Sequence, residues 1–285
     1  MRGFSETYRG DVEAWECDAF GHMNIGFYAE RFGDAAASLL SRIAPGRAWR
    51  TVSLFVRYST ELRAGESISI DSGILGTGKG PAKGETTARL GHELKTGVGK
   101  VATVADHTLV PRDSRLRGSL KSKIESAAGT WGADKFKPVP LPAAHGSLPS
   151  LRDRVKSWEL DERGQLSLWG HVRRFSTASS HLMNAVGMTA DYIERARRGF
   201  STFETRLALT PVQPGAGAEV AATSGFLKLG NSSVVMIHDL VDVRRGERIA
   251  RFYQAGVHFD LDRRKSAPMP DEMRQKAGAW TVKSG

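Results

Sequence analysis

The strongest constraint on this chain is that its sequence passes through the same landmarks twice. His22-Met23-Asn24 is answered by His181-Leu182-Met183-Asn184, and Leu62-Arg63-Ala64-Gly65 by Val212-Gln213-Pro214-Gly215. His92-Glu93-Leu94 returns as His238-Asp239-Leu240, and Gly97 as Gly246. Ala128-Gly129-Thr130-Trp131 returns as Ala277-Gly278-Ala279-Trp280. The order is kept and the shift between partners drifts only by loop-sized amounts, so the chain reads as a tandem duplication. A length of 285 residues suits two domains of about 140 each.

Each half carries the same coarse pattern. A short strand (10–16; 166–175) leads through a turn into one helix. The first helix is predicted over 24–40, where Tyr28, Phe32, Ala35 and Leu39 form an apolar stripe at helical spacing. Its counterpart is predicted over 185–197, with Gly199 as a stop. Strand-like runs follow at 52–58, 67–75, 86–95 and 100–110, and again at 205–209, 218–229, 233–243 and 248–259, separated by Gly-rich turns. One helix and a run of antiparallel strands, twice, is an α+β architecture of two sheets, each wrapped on its own helix. Four prolines and a glycine within 135–149 read as an extended connector. The expected domains are 1–131 and 155–285, joined by a Pro-rich linker over 132–154.

Composition removes several classes of function. Forty per cent hydrophobic and 25% charged residues are ordinary for a folded protein. No apolar run reaches the roughly 18 residues of a membrane span, and the first residues carry no signal-peptide pattern. The single cysteine, Cys17, cannot form an internal disulfide, so a cytoplasmic setting is expected. A net charge of +10 favours anionic partners, but the basic residues are scattered and no nucleic-acid-binding motif accompanies them. Small clusters at Arg195-Ala196-Arg197-Arg198, Arg244-Arg245 and Arg263-Arg264-Lys265 offer solvated faces or a landing zone for phosphates. Gly73-Ile-Leu-Gly-Thr-Gly78-Lys79-Gly80 spells most of a P-loop. It lacks the Ser or Thr after the lysine, and Pro81 follows where a helix would start, so a hairpin is expected. No histidine or cysteine spacing suggests a metal, and no cofactor is expected.

The stretch Asp18-Ala-Phe-Gly21-His22-Met-Asn24 stands directly before the first helix. With Arg57-Tyr58-Ser-Thr-Glu61-Leu62-Arg-Ala-Gly65-Glu66 and His92-Glu93-Leu94 behind it, the layout resembles the hotdog-fold 4-hydroxybenzoyl-CoA thioesterase-like family. The resemblance covers most of residues 7–112 and, more weakly, 166–262. It implies a tandem, or double, hotdog in which two units frame a thioester-binding tunnel. The implied reaction is hydrolysis of an acyl-CoA to a free acid and CoA, with CoA entering only as part of the substrate. The family's aspartate, matched by Asp18, acts as nucleophile or general base, and a backbone N–H at the helix start polarises the carbonyl.

Physical chemistry supports the same roles. A carboxylate can attack a carbonyl or activate water. A helix N-terminus carries free N–H groups and a positive dipole end suited to an oxyanion. Gly21 permits close approach, Asn24 can cap the helix, and His22 can bond the carboxylate or the substrate. His92 and Glu93 lie on a strand expected to line the tunnel, where structural roles compete with substrate contact. In the second copy, aligning His181 on His22 puts Thr177 opposite Asp18, and aligning Asn184 on Asn24 puts Ala178 there. Ser180 stands for Gly21. The carboxylate is then missing, and Thr177, His181, Asn184 and Tyr192 become candidates for substrate binding in a catalytically silent half. Two other functions compete: a hotdog hydratase or dehydratase acting on acyl-CoA, and non-catalytic acyl-CoA binding. Fold does not decide between them, so the choice rests on Asp18. Pairing of two chains through sheet edges is left open.

Overall fold

The computed structural model describes residues 3–18, 20–80, 85–112, 118–129 and 141–282. The chain divides into two units, Met1–Val139 and Pro140–Gly285. Unit 1 contains β1 (Ser5–Asp11), a 3-10 turn (Ala14–Glu16), α1 (Ile25–Ile43), β2 (Trp49–Tyr58), β3 (Ser67–Lys79), β4 (Thr86–Thr96), β5 (Val101–Pro111) and α2 (Gly118–Ala127). Its strands pair antiparallel in the order β1-β3-β4-β5-β2.

Unit 2 contains β6 (Leu148–Arg154), a 3-10 turn (Ser157–Glu159), α3 (Leu168–Ala185), α4 (Ala190–Ala196), β7 (Arg198–Leu209), β8 (Glu219–Leu229), β9 (Ser233–Asp242), β10 (Glu247–Asp260), β11 (Lys265–Ser266) and α5 (Asp271–Ala277). Its order, β6-β8-β9-β10-β7, repeats that of unit 1, with β11 added on β10. Each unit is therefore the helix-wrapped α+β sheet that the resemblance implies.

Each helix is buried along one face. On α1, Tyr28, Ala29, Phe32, Ala35, Ala36, Leu39 and Leu40 are buried. They recur every three or four residues and so face one sheet. Leu40 and its neighbours pack on Ile74, Leu90 and Leu109 of the strands. Ala44 precedes Pro45, which disfavours further helix. On α3, Phe175 stacks on Phe252 of β10, with ring centroids 4.9 Å apart.

A buried polar chain runs through both cores. Thr7 and Ser72 hydroxyls lie 2.7 Å apart, and Ser72 Oγ is 2.6 Å from His92 Nδ1. Ser150, Ser224 and His238 repeat this at 2.6 and 2.6 Å. Burial pushes His92 well below the ordinary imidazole range, with His107 adding to the effect, and holds His238 at about 3. Both imidazoles are therefore neutral structural groups.

Three expectations are corrected. The stretch 166–175 is not a strand, and the main helix of unit 2 is not 185–197. The long helix is α3, and only the short α4 lies within the second range. The reason is that α3 buries His171, Arg174 and Ser179 on its inner face, which breaks the apolar stripe that would reveal a helix. The connector read over 132–154 falls partly on residues outside those described, but 148–154 is β6, paired with β8. β6 stands at the end of the sheet order, where Pro149 is tolerated. The P-loop-like glycines lie on β3, which pairs with β4 through Lys79, as expected for a hairpin.

Candidate functional site

The turn before α1 is built by its own backbone. Cys17 and Met23 form an antiparallel bridge, the Asp18 N–H donates to the His22 carbonyl at 2.8 Å, and the Gly21 N–H donates to the Asp18 carbonyl at 3.0 Å. Asp18 Oδ1 accepts from the N–H groups of Phe20 (2.8 Å) and His22 (3.2 Å). Gly21 sits at φ +72°, in the left-handed region that only glycine enters cheaply. Asn24 then caps α1, its Oδ1 accepting the Gly26 N–H at 3.0 Å. No acidic side chain occupies the first turn of α1, so the positive end of its dipole is uncompensated there.

A second segment is brought against this turn. The Met23 N–H donates to the Leu62 carbonyl at 2.8 Å, and His22 bridges Arg63 through the backbone. His22 Nε2 lies 3.3 Å from Glu61 Oε2 and 3.3 Å from an Arg63 guanidinium nitrogen. One ring nitrogen faces both a carboxylate and a cation. Protonated, it can donate to Glu61; deprotonated, its lone pair accepts from Arg63. That is a proton-handling geometry beside an exposed aspartate. Glu61 and Arg63 were not among the site residues expected from sequence. They reach the site through a tertiary contact, not through local spacing.

The turn is pinned from below. The Glu16 carbonyl accepts the Asn24 N–H at 2.8 Å, and its buried carboxylate accepts the Glu13 N–H at 3.1 Å and pairs with Arg31 of α1. Cys17 is not a rival nucleophile, because burial pushes its thiol above the ordinary range.

Unit 2 contains the same turn, displaced from where sequence alignment put it. Leu160 bridges Leu166, the Asp161 N–H donates to Gln165 at 2.7 Å, and the Gly164 N–H donates to Asp161 at 3.0 Å. Asp161 Oδ1 accepts from Arg163 (2.9 Å) and Gln165 (3.0 Å), Gly164 has φ +72°, and Ser167 caps α3. The carboxylate is therefore present in the second copy, as Asp161. Thr177 and Ala178 lie in the body of α3 and do not correspond to Asp18. What unit 2 lacks are the other groups. Gln165 replaces His22 and Ser167 replaces Asn24. Pro214 accepts the Leu166 N–H as Leu62 accepts that of Met23, so Gln213 and Gly215 stand for Glu61 and Arg63. Gln213 is turned onto His171, at 2.7 Å.

The other expected residues lie elsewhere. His92 is inside the core, its ring 5.6 Å from that of Phe32, and Glu93 lies 3.8 Å from Lys95. Neither joins the Asp18 turn. Thr177 and His181 line a cleft of unit 2. Exposed Asn184 uses its carbonyl to accept the Gly187 N–H, and the Tyr192 hydroxyl is 3.0 Å from His258 Nε2. In the cluster at 195–198, Arg195, Arg197 and Arg198 are paired with Asp191, Asp262 and Asp260, which weakens it as a phosphate site.

A family model described as the thioesterase-like superfamily matches residues 12–153 and again 155–277. The chain belongs to this superfamily. Membership places it among the thioester hydrolases, in two tandem copies. No curated protein matches it by sequence. Among solved structures it is similar to a Lactobacillus plantarum protein assigned as an oleoyl thioesterase: TM-score 0.68, 9% identity, 94% of this chain and 98% of that one. An acyl-ACP thioesterase from Bacteroides thetaiotaomicron gives TM-score 0.60 at 13% identity, over 89% and 97% of the chains. A 12:0-ACP thioesterase from Umbellularia californica gives 0.61 at 13% identity, over 88% and 93%. At these identities the likeness speaks for the fold alone. Among the described residues no helix is long and apolar enough to cross a membrane, and no cluster suited to a metal occurs.

Proposed function

We propose that this protein hydrolyses an acyl-CoA thioester at the Asp18–Asn24 turn of unit 1. The observation that carries this reading is the difference between two copies of one turn. Both keep the aspartate with the same backbone bonds, but only unit 1 has a histidine on that turn, with Glu61 and Arg63 against its ring. A turn alone accounts for the aspartate; it does not account for an imidazole held between a carboxylate and a guanidinium.

In this reading Asp18 Oδ1 is fixed by two N–H groups, so Oδ2 acts on the reacting carbon or on its water. A water oxygen bonds to the acyl carbon, and its proton passes to the carboxylate or to His22. The carbon–sulfur bond breaks, and the thiolate takes the proton back from whichever of the two groups accepted it. The positive end of the α1 dipole stabilises the oxyanion that forms between these steps. If Asp18 is instead the nucleophile, Oδ2 bonds to the acyl carbon, the carbon–sulfur bond breaks to release the thiolate, and water cleaves the resulting mixed anhydride in a second step. CoA is the proposed carrier, although the similar solved structures named for acyl carrier protein keep that alternative in the assay.

The test is thiol release from acyl-CoA and acyl-ACP substrates by wild type, Asp18→Asn, His22→Gln, Glu61→Gln and Asp161→Asn. The three unit-1 variants should lose about 10²–10⁴-fold in turnover, the range of a lost general base. Asp161→Asn should retain it. Equal losses at Asp18 and Asp161 would mean that both aspartates only hold their turns. No release from any thioester by wild type would overturn the assignment as a hydrolase.

A further inference from the structure

Unit 2 contains a cleft of about 710 Å³ between β6 and the outer face of α3. This lies in the range of about 300–1,000 Å³ typical of small-molecule sites. The duplication supplies an internal control, because the same place in unit 1 holds bulkier side chains. There Tyr8 of β1 lies beneath Arg31, whose guanidinium carbon is 5.4 Å from the ring, and its hydroxyl covers Gly10. Arg42 stands at the far end, donating to the Glu6 carbonyl at 3.0 Å and to Ser5 Oγ at 3.4 Å. Matching the two turns and helices residue for residue puts Leu151 where Tyr8 stands and Ala185 where Arg42 stands. The smaller side chains leave the cleft open.

The sign of its charge is reversed as well. Glu13, Glu30 and Asp34 line the unit-1 position, and Lys156, Arg173 and Thr177 replace them in unit 2, with His181 in place of Ser38. Arg152, also in the lining, is paired with Glu219 at 2.5 Å and matches Arg9 of unit 1, so the change of sign rests on the other positions. The carboxylates in the wall, Asp153 and Glu159, are already engaged: Arg173 pairs with both, at 2.9 and 2.7 Å, and Arg174 pairs with both from beneath. Two indoles complete the wall. Trp158 is 76% exposed, and Trp169, whose counterpart is Gly26, lies under the Arg173 guanidinium at 5.7 Å. Exposed Trp15 repeats Trp158, so the feature specific to unit 2 is the second indole together with the cations.

From this we infer that the cleft between β6 and α3 binds a nucleotide, its base stacked on the indoles and its phosphates on Lys156. Flat aromatic walls recognise a base through its π-face, and clustered Arg and Lys recognise phosphate. The nucleotide can be free, or it can be the nucleotide end of CoA. The cleft is lined by unit 2 residues and its occupancy is read without turnover, so it stands or falls apart from the proposed hydrolysis.

The experiment titrates the full chain with ADP, following tryptophan fluorescence and calorimetry. Saturable quenching is expected, reduced in Trp158→Phe. Leu151→Tyr, which restores the residue that fills unit 1, and Lys156→Glu, which restores its sign, should each weaken binding at least tenfold, with folding verified by circular dichroism. Displacement of ADP by CoA, with a raised KM and unchanged kcat for acyl-CoA in both variants, identifies the substrate's own nucleotide. Binding that CoA does not displace, with unchanged KM, identifies a free nucleotide. Absence of ADP and CoA binding at millimolar concentration, or undiminished binding in folded Lys156→Glu, would overturn the inference.

Discussion

His107→Gln puts a number on how much the buried histidines govern acid stability. His107 lies on β5 and its Nε2 is 2.8 Å from Thr51 Oγ1. Unit 2 solves the same problem with an amide. Strand registers that match His92 to His238 also match His107 to Gln254, whose Nε2 donates to Thr202 at 2.7 Å. The substitution thus borrows a residue the fold already uses there and removes one titrating group. Burial lowers His107 from the ordinary 6.5 to about 3, with only the Phe32 backbone pulling the other way. The sign follows from proton counts. Below 6.5 the unfolded chain binds a proton at this histidine, and the folded chain does not until the pH nears 3. Stability is therefore full above 6.5 and falls through that window. Between pH 6 and pH 4 the loss from this one residue is about 2–3 kcal/mol, a large share of the roughly 5–15 kcal/mol of a whole domain. Urea unfolding followed by circular dichroism at pH 7, 6, 5 and 4 measures it. The wild type should fall more steeply than His107→Gln, the gap widening by about that amount from pH 6 to pH 4. Parallel curves would refute the account of His107 as a buried neutral base.

Other substitutions test the packing and the turns. Phe175→Ala removes a fully buried ring stacked on Phe252 and should cost about 3–5 kcal/mol in urea unfolding. Gly21→Ala forces a side chain into φ +72° and should cost about 1–2 kcal/mol while depressing turnover, whereas Gly164→Ala should cost the same stability and leave turnover intact. Arg174→Leu removes one of the two guanidinium partners of the buried Glu159 carboxylate, leaving Arg173 in place, and should destabilise by about 1–3 kcal/mol in the same assay.

The fold was legible where apolar spacing and helix caps agree. Helix α1 has an uninterrupted stripe from Tyr28 to Leu39 and an asparagine cap, and its extent follows from both. Helix α3 hid because Arg174, fully buried, occupies a position that spacing assigns to a hydrophobe; only the tertiary pairing with Glu159 and Asp153 makes that tolerable. The same effect misled the alignment of the copies. His181 and Asn184 resemble His22 and Asn24 by letter, but they sit at the other end of a helix from the turn they were matched to. At the site, the Asp18 turn was readable because all its bonds are local. Glu61 and Arg63 were not, because they reach His22 through the Met23–Leu62 backbone contact across the fold.

The two turns also separate what the fold requires from what the chemistry requires. A carboxylate that accepts two backbone N–H bonds is kept wherever that turn is kept, since losing it strands both donors. Asp18 and Asp161 satisfy this equally, so the presence of an aspartate says nothing about reaction. His22 and Glu61 are different. They are partly exposed, and the fold of unit 2 stands with glutamines in both places. Residues that the structure can do without, gathered within 3.3 Å of one another at an uncompensated helix start, need a reason outside folding. The proposed hydrolysis would supply it, and the assays above weigh Asp18 in the company of His22 and Glu61, not Asp18 alone.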